Sequence, residues 1–98
     1  MYVQIIDARL KSTDGWQTIN EMIKTWDRDE SKRAPGYIDG EWLQDRGDPR
    51  HVMAVVHFES AEKAKQNSDR PETNQFYRRM LELVEAPPKF LDCDRVEA

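Results

Sequence analysis

The sequence predicts an α+β fold whose strands and helical segments follow the ferredoxin-like order βαββαβ. Three observations lead to this prediction. Two regions carry apolar residues at helical spacing, residues 51–59 form a β-branched apolar run, and turns rich in glycine or proline separate the other strands. At 98 residues the chain is expected to be one domain, residues 1–98. This order places the helices on one face of a four-stranded antiparallel sheet.

The spacing of apolar residues changes from a strand pattern to a helical pattern early in the chain, which predicts the first strand and the first helix. Residues 2–10 hold a short β-prone run and are predicted as a strand. Ser12, Thr13 and Asp14 are candidate N-caps for the helix that follows. Its apolar stripe comprises Trp16, Ile19, Met22, Ile23 and Trp26. These side chains share an arc of about 120°, the width of a core-facing stripe.

Turn residues delimit the two middle strands. Pro35 and Gly36 end the helical approach and open a strand over residues 37–45. The stretch DRGDP at 45–49 predicts a hairpin turn in which Gly47 takes a positive φ and Pro49 stops pairing. Residues 51–59 are then predicted as the central strand.

The second half of the chain repeats the pattern. Ser60 is a predicted N-cap for a short helix that begins at Ala61 and breaks at 69–71. A second segment, about 72–84, has a broad apolar face. Pro87 and Pro88 end it, and residues 89–96 are predicted as the last strand.

The open face of the predicted sheet indicates a homodimer. Both faces of the 51–59 strand carry apolar side chains, for example Val52 and Phe58 on one and Met53 and Val55 on the other. The helices cover one face only, and a large apolar patch is rarely left in water. We therefore expect two copies to pack sheet to sheet. The alternative is a monomer with a half-polar open face.

Composition excludes several classes of partner. The formal net charge of −4 argues against nucleic acid as a partner. The chain has no apolar run of membrane-spanning length and no secretory leader pattern, so we expect a soluble protein without a membrane partner. Cys93 is the single cysteine, expected as a buried small hydrophobe, and fits a cytoplasmic location. His51 and His57 are about 20 Å apart by strand rise, so no metal site is expected.

Four motifs carry a resemblance to a known family. They are APGY at 34–37, DRGDPRHV at 45–52, VVHFES at 55–60 and APPKF at 86–90. In order and spacing they resemble the dimeric α/β barrel proteins of the antibiotic-biosynthesis-monooxygenase type, over nearly the whole chain. The resemblance implies a ligand cleft between sheet and helices in each subunit. It also implies chemistry of two kinds: oxygenation of aromatic quinols without a cofactor, or haem degradation.

The residues that would carry either chemistry differ here. The quinol oxygenases have a tryptophan, an asparagine and a tyrosine where this chain has Phe58, Ala54 and Ala64. An arginine of the second helix is matched by Arg78, or by Tyr77 if the alignment shifts by one residue. The haem-degrading branch has an asparagine and a histidine where Ile6 and Tyr77 stand, which disfavours that branch. No catalytic residue and no cofactor are therefore assigned.

The cleft is predicted from strand parity and from the resemblance. Its predicted lining is Ile6, Trp16, Ile38, Trp42, Ala54, Phe58, Tyr77 and Arg78. Trp42 is the strongest candidate because it shares parity with Gly40, which leaves room for a ligand. Trp16 and Trp26 fit plain core equally well. His57 is expected on the opposite, dimer-facing side near Asp7, as a structural histidine.

Two hypotheses for function follow. The first is an apolar cleft for an aromatic or other hydrophobic metabolite in a small homodimer, with cofactor-independent monooxygenation as the activity. The second is a non-catalytic dimer, ligand-binding or structural, whose cleft is filled by core side chains. An empty cavity of a few hundred Å³ beside Trp42, Phe58 and Tyr77 would favour the first.

Overall fold

Four strands form a single antiparallel sheet in the computed structural model, which describes residues 1–96. The strands are β1 (Tyr2–Arg9), β2 (Tyr37–Asp45), β3 (Asp48–Phe58) and β4 (Lys89–Asp94). The helices are α1 (Gly15–Asp29), α2 (Ala61–Ser68) and α3 (Pro71–Leu83). The strand order is β2-β3-β1-β4. The predicted ferredoxin-like α+β fold is thus confirmed, with α2 and α3 together in the place of its second helix.

Local sequence explains where the helices of the second half begin. The Ser60 hydroxyl accepts a hydrogen bond from the Lys63 backbone N–H at 3.2 Å, as expected for an N-cap. Pro71 occupies the first turn of α3, where its missing N–H costs nothing. Within residues 1–96 no helix combines the length and the apolar character that a bilayer crossing requires.

The core lies between the sheet and the helices, on the strand faces that parity predicted. Ile6 and Ala8 of β1 and Val52 and Ala54 of β3 are buried there. They pack against the stripe of α1, of which Ile19 is almost fully buried. Alternate residues of the same strands point to the open face of the sheet.

The β2–β3 hairpin corrects two details of the prediction. Strand β3 begins at Asp48 and includes Pro49, three residues earlier than predicted. Gly47 does not take a positive φ; within residues 1–96 that conformation occurs at Gly36 alone. The Asp45 carboxylate accepts the Gly47 N–H at 2.7 Å, so the side chain closes the turn without a left-handed residue.

Gly36 is the glycine that the fold requires. Its φ is 67°, and a Cβ added there would lie 2.4 Å from the Lys63 Cβ. We expect Gly36→Ala to lower the free energy of unfolding by about 2 kcal/mol, from left-handed strain plus the displacement of α2. Gly47→Ala is the matched control, because its nearest neighbouring atom would be 3.4 Å away. Urea unfolding of both variants tests this, and equal midpoints would contradict it.

The open face carries histidine–carboxylate contacts at both ends. His57 faces this side as predicted, but its partner is Asp39 at 2.6 Å and not Asp7. Asp7 contacts His51 at 2.8 Å, because the β1–β3 register places Val3 opposite His57. Cys93 also lies on this face, paired with Val3, and is half-buried, whereas the sequence predicted a buried side chain.

His51 gives the fold a pH dependence. Its ring lies between Asp45 (2.9 Å) and Asp7 (2.8 Å), and these hydrogen bonds, that of Asp45 first, raise the pKa of His51 above 6.5. A raised folded-state pKa means that the stabilisation is complete below about pH 6.5 and is lost as pH rises through the higher folded value. We expect the difference in unfolding free energy between wild type and His51→Gln to shrink from about pH 5.5 to about pH 8.5. Urea unfolding across this range checks it; a constant difference would refute it.

Candidate ligand cleft

A cavity of about 360 Å³ lies between the core face of the sheet and the helices. Aromatic side chains dominate its wall: Trp26, Tyr37, Trp42, Phe58, Phe76, Tyr77 and Phe90. Aliphatic residues and one glycine complete the apolar part: Ile6, Ile23, Gly40, Val56 and Met80. The polar residues are Gln4, Asp27, Asn67, Ser68, Thr73 and Asn74. The volume and composition are those of a site for a small, mainly apolar molecule.

Two aromatic pairs form part of the wall. Trp42 of β2 packs against Phe76 of α3 with ring centroids 5.9 Å apart. Trp26 of α1 meets Tyr37 of β2 edge to face, at 4.7 Å and 72°. Edge-to-face and tilted contacts hold these rings by mutual attraction and leave ring surface for a flat molecule.

A β-bulge in β2 brings Tyr37 into the cleft. Tyr37 pairs with Phe58 and Asp39 pairs with His57, so the intervening Ile38 has no partner on β3. The extra residue reverses the alternation, which turns Tyr37 toward the helices and leaves Ile38 44% exposed. The absence of a side chain at Gly40 admits the Tyr37 hydroxyl, which would lie 3.3 Å from a Cβ placed there.

The polar residues come mainly from the junction of α2 and α3. Asn67 is only 7% exposed and accepts a hydrogen bond from the Thr73 hydroxyl at 3.0 Å. Arg70 of the same junction contacts Glu30, beyond the end of α1, at 2.6 Å, which ties the junction to α1. The amide and hydroxyl groups are therefore held at one end of an otherwise apolar cavity.

The electrostatic environment at Tyr37 is negative. Burial raises the pKa of the Tyr37 phenol, and the charges of Asp27 and Asp39 raise it further. The Tyr37 hydroxyl is thus a neutral group that can donate or accept a hydrogen bond at physiological pH.

Several solved structures of other proteins share this architecture. A structure described as an antibiotic biosynthesis monooxygenase from Nitrosomonas europaea is similar to this chain, with 20% identity and a TM-score of 0.81. The match covers 99% of this chain and 100% of that structure's chain. A monooxygenase of Streptomyces coelicolor, in complex with nanaomycin D, matches over 99% of this chain and 88% of its own, with 15% identity and a TM-score of 0.83. The fold is that of the antibiotic biosynthesis monooxygenases. A cofactor-independent oxygenase of Streptomyces nogalater also shares it, at 7% identity over 99% of this chain and 94% of its own, with a TM-score of 0.79. No protein-family model and no curated protein sequence matches the chain.

Within this monooxygenase-type fold, half of the predicted lining residues meet at the cavity. Ile6, Trp42, Phe58 and Tyr77 line it. Trp26, for which plain core was an equal alternative, lines it as well. That these side chains bind a ligand remains a prediction.

The other four predicted residues lie elsewhere. Trp16 is at the opposite end of α1, where its indole N–H donates to the Pro49 carbonyl at 2.7 Å. Ile38 is turned out by the bulge, and Ala54 is enclosed in the core cluster with no surface on the cavity. Arg78 is exposed on α3, because one residue past Tyr77 rotates the side chain by about 100° away from the cleft.

Sequence reasoning did not identify the polar end of the cleft. Asn67 lies in the charge-dense stretch EKAKQNSDR at 62–70. Asp27 lies on the polar side of α1, where it is exposed and also borders the cavity. Asn74 and Thr73 fall in the first turn of α3 and have no periodic pattern. The one available signal was the break at Asp69–Pro71, since side chains at a helix–helix junction are often turned inward.

Proposed function

We propose that this protein binds a flat aromatic metabolite in the cleft and oxygenates it without a cofactor. The observation that carries the proposal is the aromatic-walled cavity of about 360 Å³ in a monooxygenase-type fold. A cavity of this volume accommodates a fused-ring molecule, and a wall rich in aromatic side chains favours a planar one.

The substrate itself supplies the electrons in this proposal. A phenol whose keto tautomer has an activated CH₂ carbon, such as an anthrone, can lose a proton there and pass electrons to dioxygen. The carbon loses two hydrogens and gains one oxygen atom as a carbonyl; the other oxygen atom leaves with those hydrogens as water. The protein contributes a dry cavity that fixes the ring and the oxygen together.

The side chains of the cleft suit binding and orientation more than proton transfer. Trp42 and Phe76 offer one wall, and Trp26 and Tyr37 another. The positions of the family's tryptophan, asparagine and tyrosine are Phe58, Ala54 and Ala64, none of which can exchange a proton. These three positions therefore contribute no proton transfer, and rate acceleration is assigned mainly to positioning.

Oxygen consumption with an anthrone tests the activity. We expect uptake above the rate in buffer, with one atom of ¹⁸O₂ in the product carbonyl, and loss of that excess in Trp42→Ala. Arg78→Ala should retain it, because Arg78 is exposed and outside the cleft. Oxygen uptake no faster than in buffer, or product without label, would refute the enzymatic proposal.

A homodimer through the open face is part of the proposal. The centre of this face is apolar, with Val3, Ile5, Met53 and Val55 half-buried and Leu91 40% exposed. These residues lie on three neighbouring strands and form one continuous patch. A second copy presents the same patch, so a two-fold axis buries both.

The structural alternative is not favoured. A dimer whose cleft is filled by core side chains would leave no room beside Trp42, Phe58 and Tyr77, whereas these residues border the cavity. The solved structures of the same fold that are described by activity are monooxygenases or oxygenases, which supports an oxygenase over a purely structural role.

A further inference from the structure

The charges of the cleft wall indicate which class of ligand the cleft can bind. Among the described residues that line it, one is acidic, Asp27, whose side chain is exposed, and none is lysine, arginine or histidine. A ligand carboxylate inside this cleft would leave bulk water without meeting a cation, and burying an unpaired charge costs several kcal/mol or more.

The neutral polar groups of the cleft fit neutral oxygen substituents. Asn67 uses its Oδ1 to accept the Thr73 hydroxyl, which leaves its Nδ2 hydrogens without a partner among the described residues. Asn74 and Gln4 add amides that both donate and accept. Amides of this kind match hydroxyl and carbonyl groups on a ring.

At the polar end Arg70 has carboxylate partners, Glu30 at 2.6 Å and Glu72 at 3.6 Å, but its Nη1 is buried without a hydrogen-bond partner among the described residues. Arg70 does not line the cavity. Meanwhile Asp27 and Asp39 both act on the Tyr37 phenol, where they oppose a further negative charge. The charges that act on the Tyr37 phenol in the cleft are therefore those of carboxylates.

We propose that the cleft selects a planar aromatic ligand with uncharged hydroxyl or carbonyl substituents and excludes the same ring carrying a carboxylate, with Asp27 as the residue that determines this selection. The inference rests on the proposed function, because it assumes that the cleft is the ligand site. It goes further by naming the charge class of the ligand and the side chain that sets it.

Three probes with one ring system and three charges test the inference. They are 2-naphthylmethanol, 2-naphthoate and 2-naphthylmethylammonium, titrated calorimetrically at about pH 7.5, where the carboxylate is ionised, and at about 0.15 M salt, where distant charges are screened. We expect the naphthoate to bind at least about tenfold more weakly than the alcohol. The ammonium probe should bind no more weakly than the alcohol, because Asp27 attracts it.

Two variants assign the effect to Asp27. In Asp27→Asn the penalty on naphthoate should fall by about threefold, because the repulsion by Asp27 is removed. The part that comes from desolvation of the carboxylate should remain. Glu21→Gln is the matched control: it removes one carboxylate from an exposed position of the same helix outside the cleft, and the penalty should persist.

The possible outcomes distinguish a failure of this inference from a failure of the proposed function. Equal affinities for the alcohol and the naphthoate would overturn the inference and leave the binding function standing. Rejection of both charged probes, or an unchanged penalty in Asp27→Asn, would overturn the role of Asp27. Absence of binding by all three probes would overturn the proposed function, and the inference with it.

Discussion

Replacing Val55 with aspartate is expected to convert the protein from a dimer into a monomer. Val55 lies at the centre of the open face, opposite Ile5 on β1 and Glu41 on β2. In a two-fold interface the substitution introduces two unpaired carboxylates into an apolar contact, at a cost of several kcal/mol for each buried charge. Sedimentation equilibrium should give twice 11.6 kDa for the wild type and 11.6 kDa for the variant.

A matched variant separates the interface from overall charge. Gln17→Asp adds the same charge on the exposed side of α1, away from the sheet, and should sediment as the wild type does. Far-ultraviolet circular dichroism would check that Val55→Asp keeps its secondary structure. A wild type of 11.6 kDa at micromolar concentration would refute the dimer outright.

Removing the Trp42 ring is expected to weaken ligand binding by about tenfold to a hundredfold, because one aromatic stacking contact is worth roughly 1–3 kcal/mol. Trp42 forms one wall of the cleft with Phe76, 5.9 Å away. The measurement is the calorimetric affinity of Trp42→Ala for 2-naphthylmethanol. Trp42→Phe should recover most of the loss, since it restores a flat surface.

The control for this prediction is another tryptophan. Trp16→Ala removes an equal side chain near the start of α1, outside the cleft. This variant is expected to lose stability but not affinity. Parallel urea unfolding shows whether each variant is folded during the titration. Equal affinity losses in Trp42→Ala and Trp16→Ala would show that the effect arises from destabilisation and would contradict the assignment of the wall.

Periodicity predicted the fold because the long-range pattern is strong. The β-branched run of β3 and the stripe of α1 each have one interpretation, and Ser60 caps α2 as its position indicates. Parity also placed Ile6, Trp42 and Phe58 on the helix-facing side correctly. These features depend on backbone geometry that repeats along the chain.

The periodicity of the sequence could not predict irregularities of the backbone at single residues. The bulge at Ile38 exchanges which of Tyr37 and Ile38 enters the cleft, and no residue in APGYID identifies it. Asp45 closes its turn through its side chain, so Gly47 needed no positive φ. Asn67 is buried because of how α2 meets α3, which is a tertiary effect. The sequence consequently predicted the apolar wall better than the polar end.

Mapping the bound probe on the protein tests the central claim, that the space between sheet and helices is a ligand site. ¹⁵N-labelled protein titrated with 2-naphthylmethanol should show saturable amide shifts around Trp42, Phe58 and Asn67, and the indole N–H of Trp26 should shift more than that of Trp16. Shifts confined to the open face around Val55, or no saturable shifts, would contradict the account.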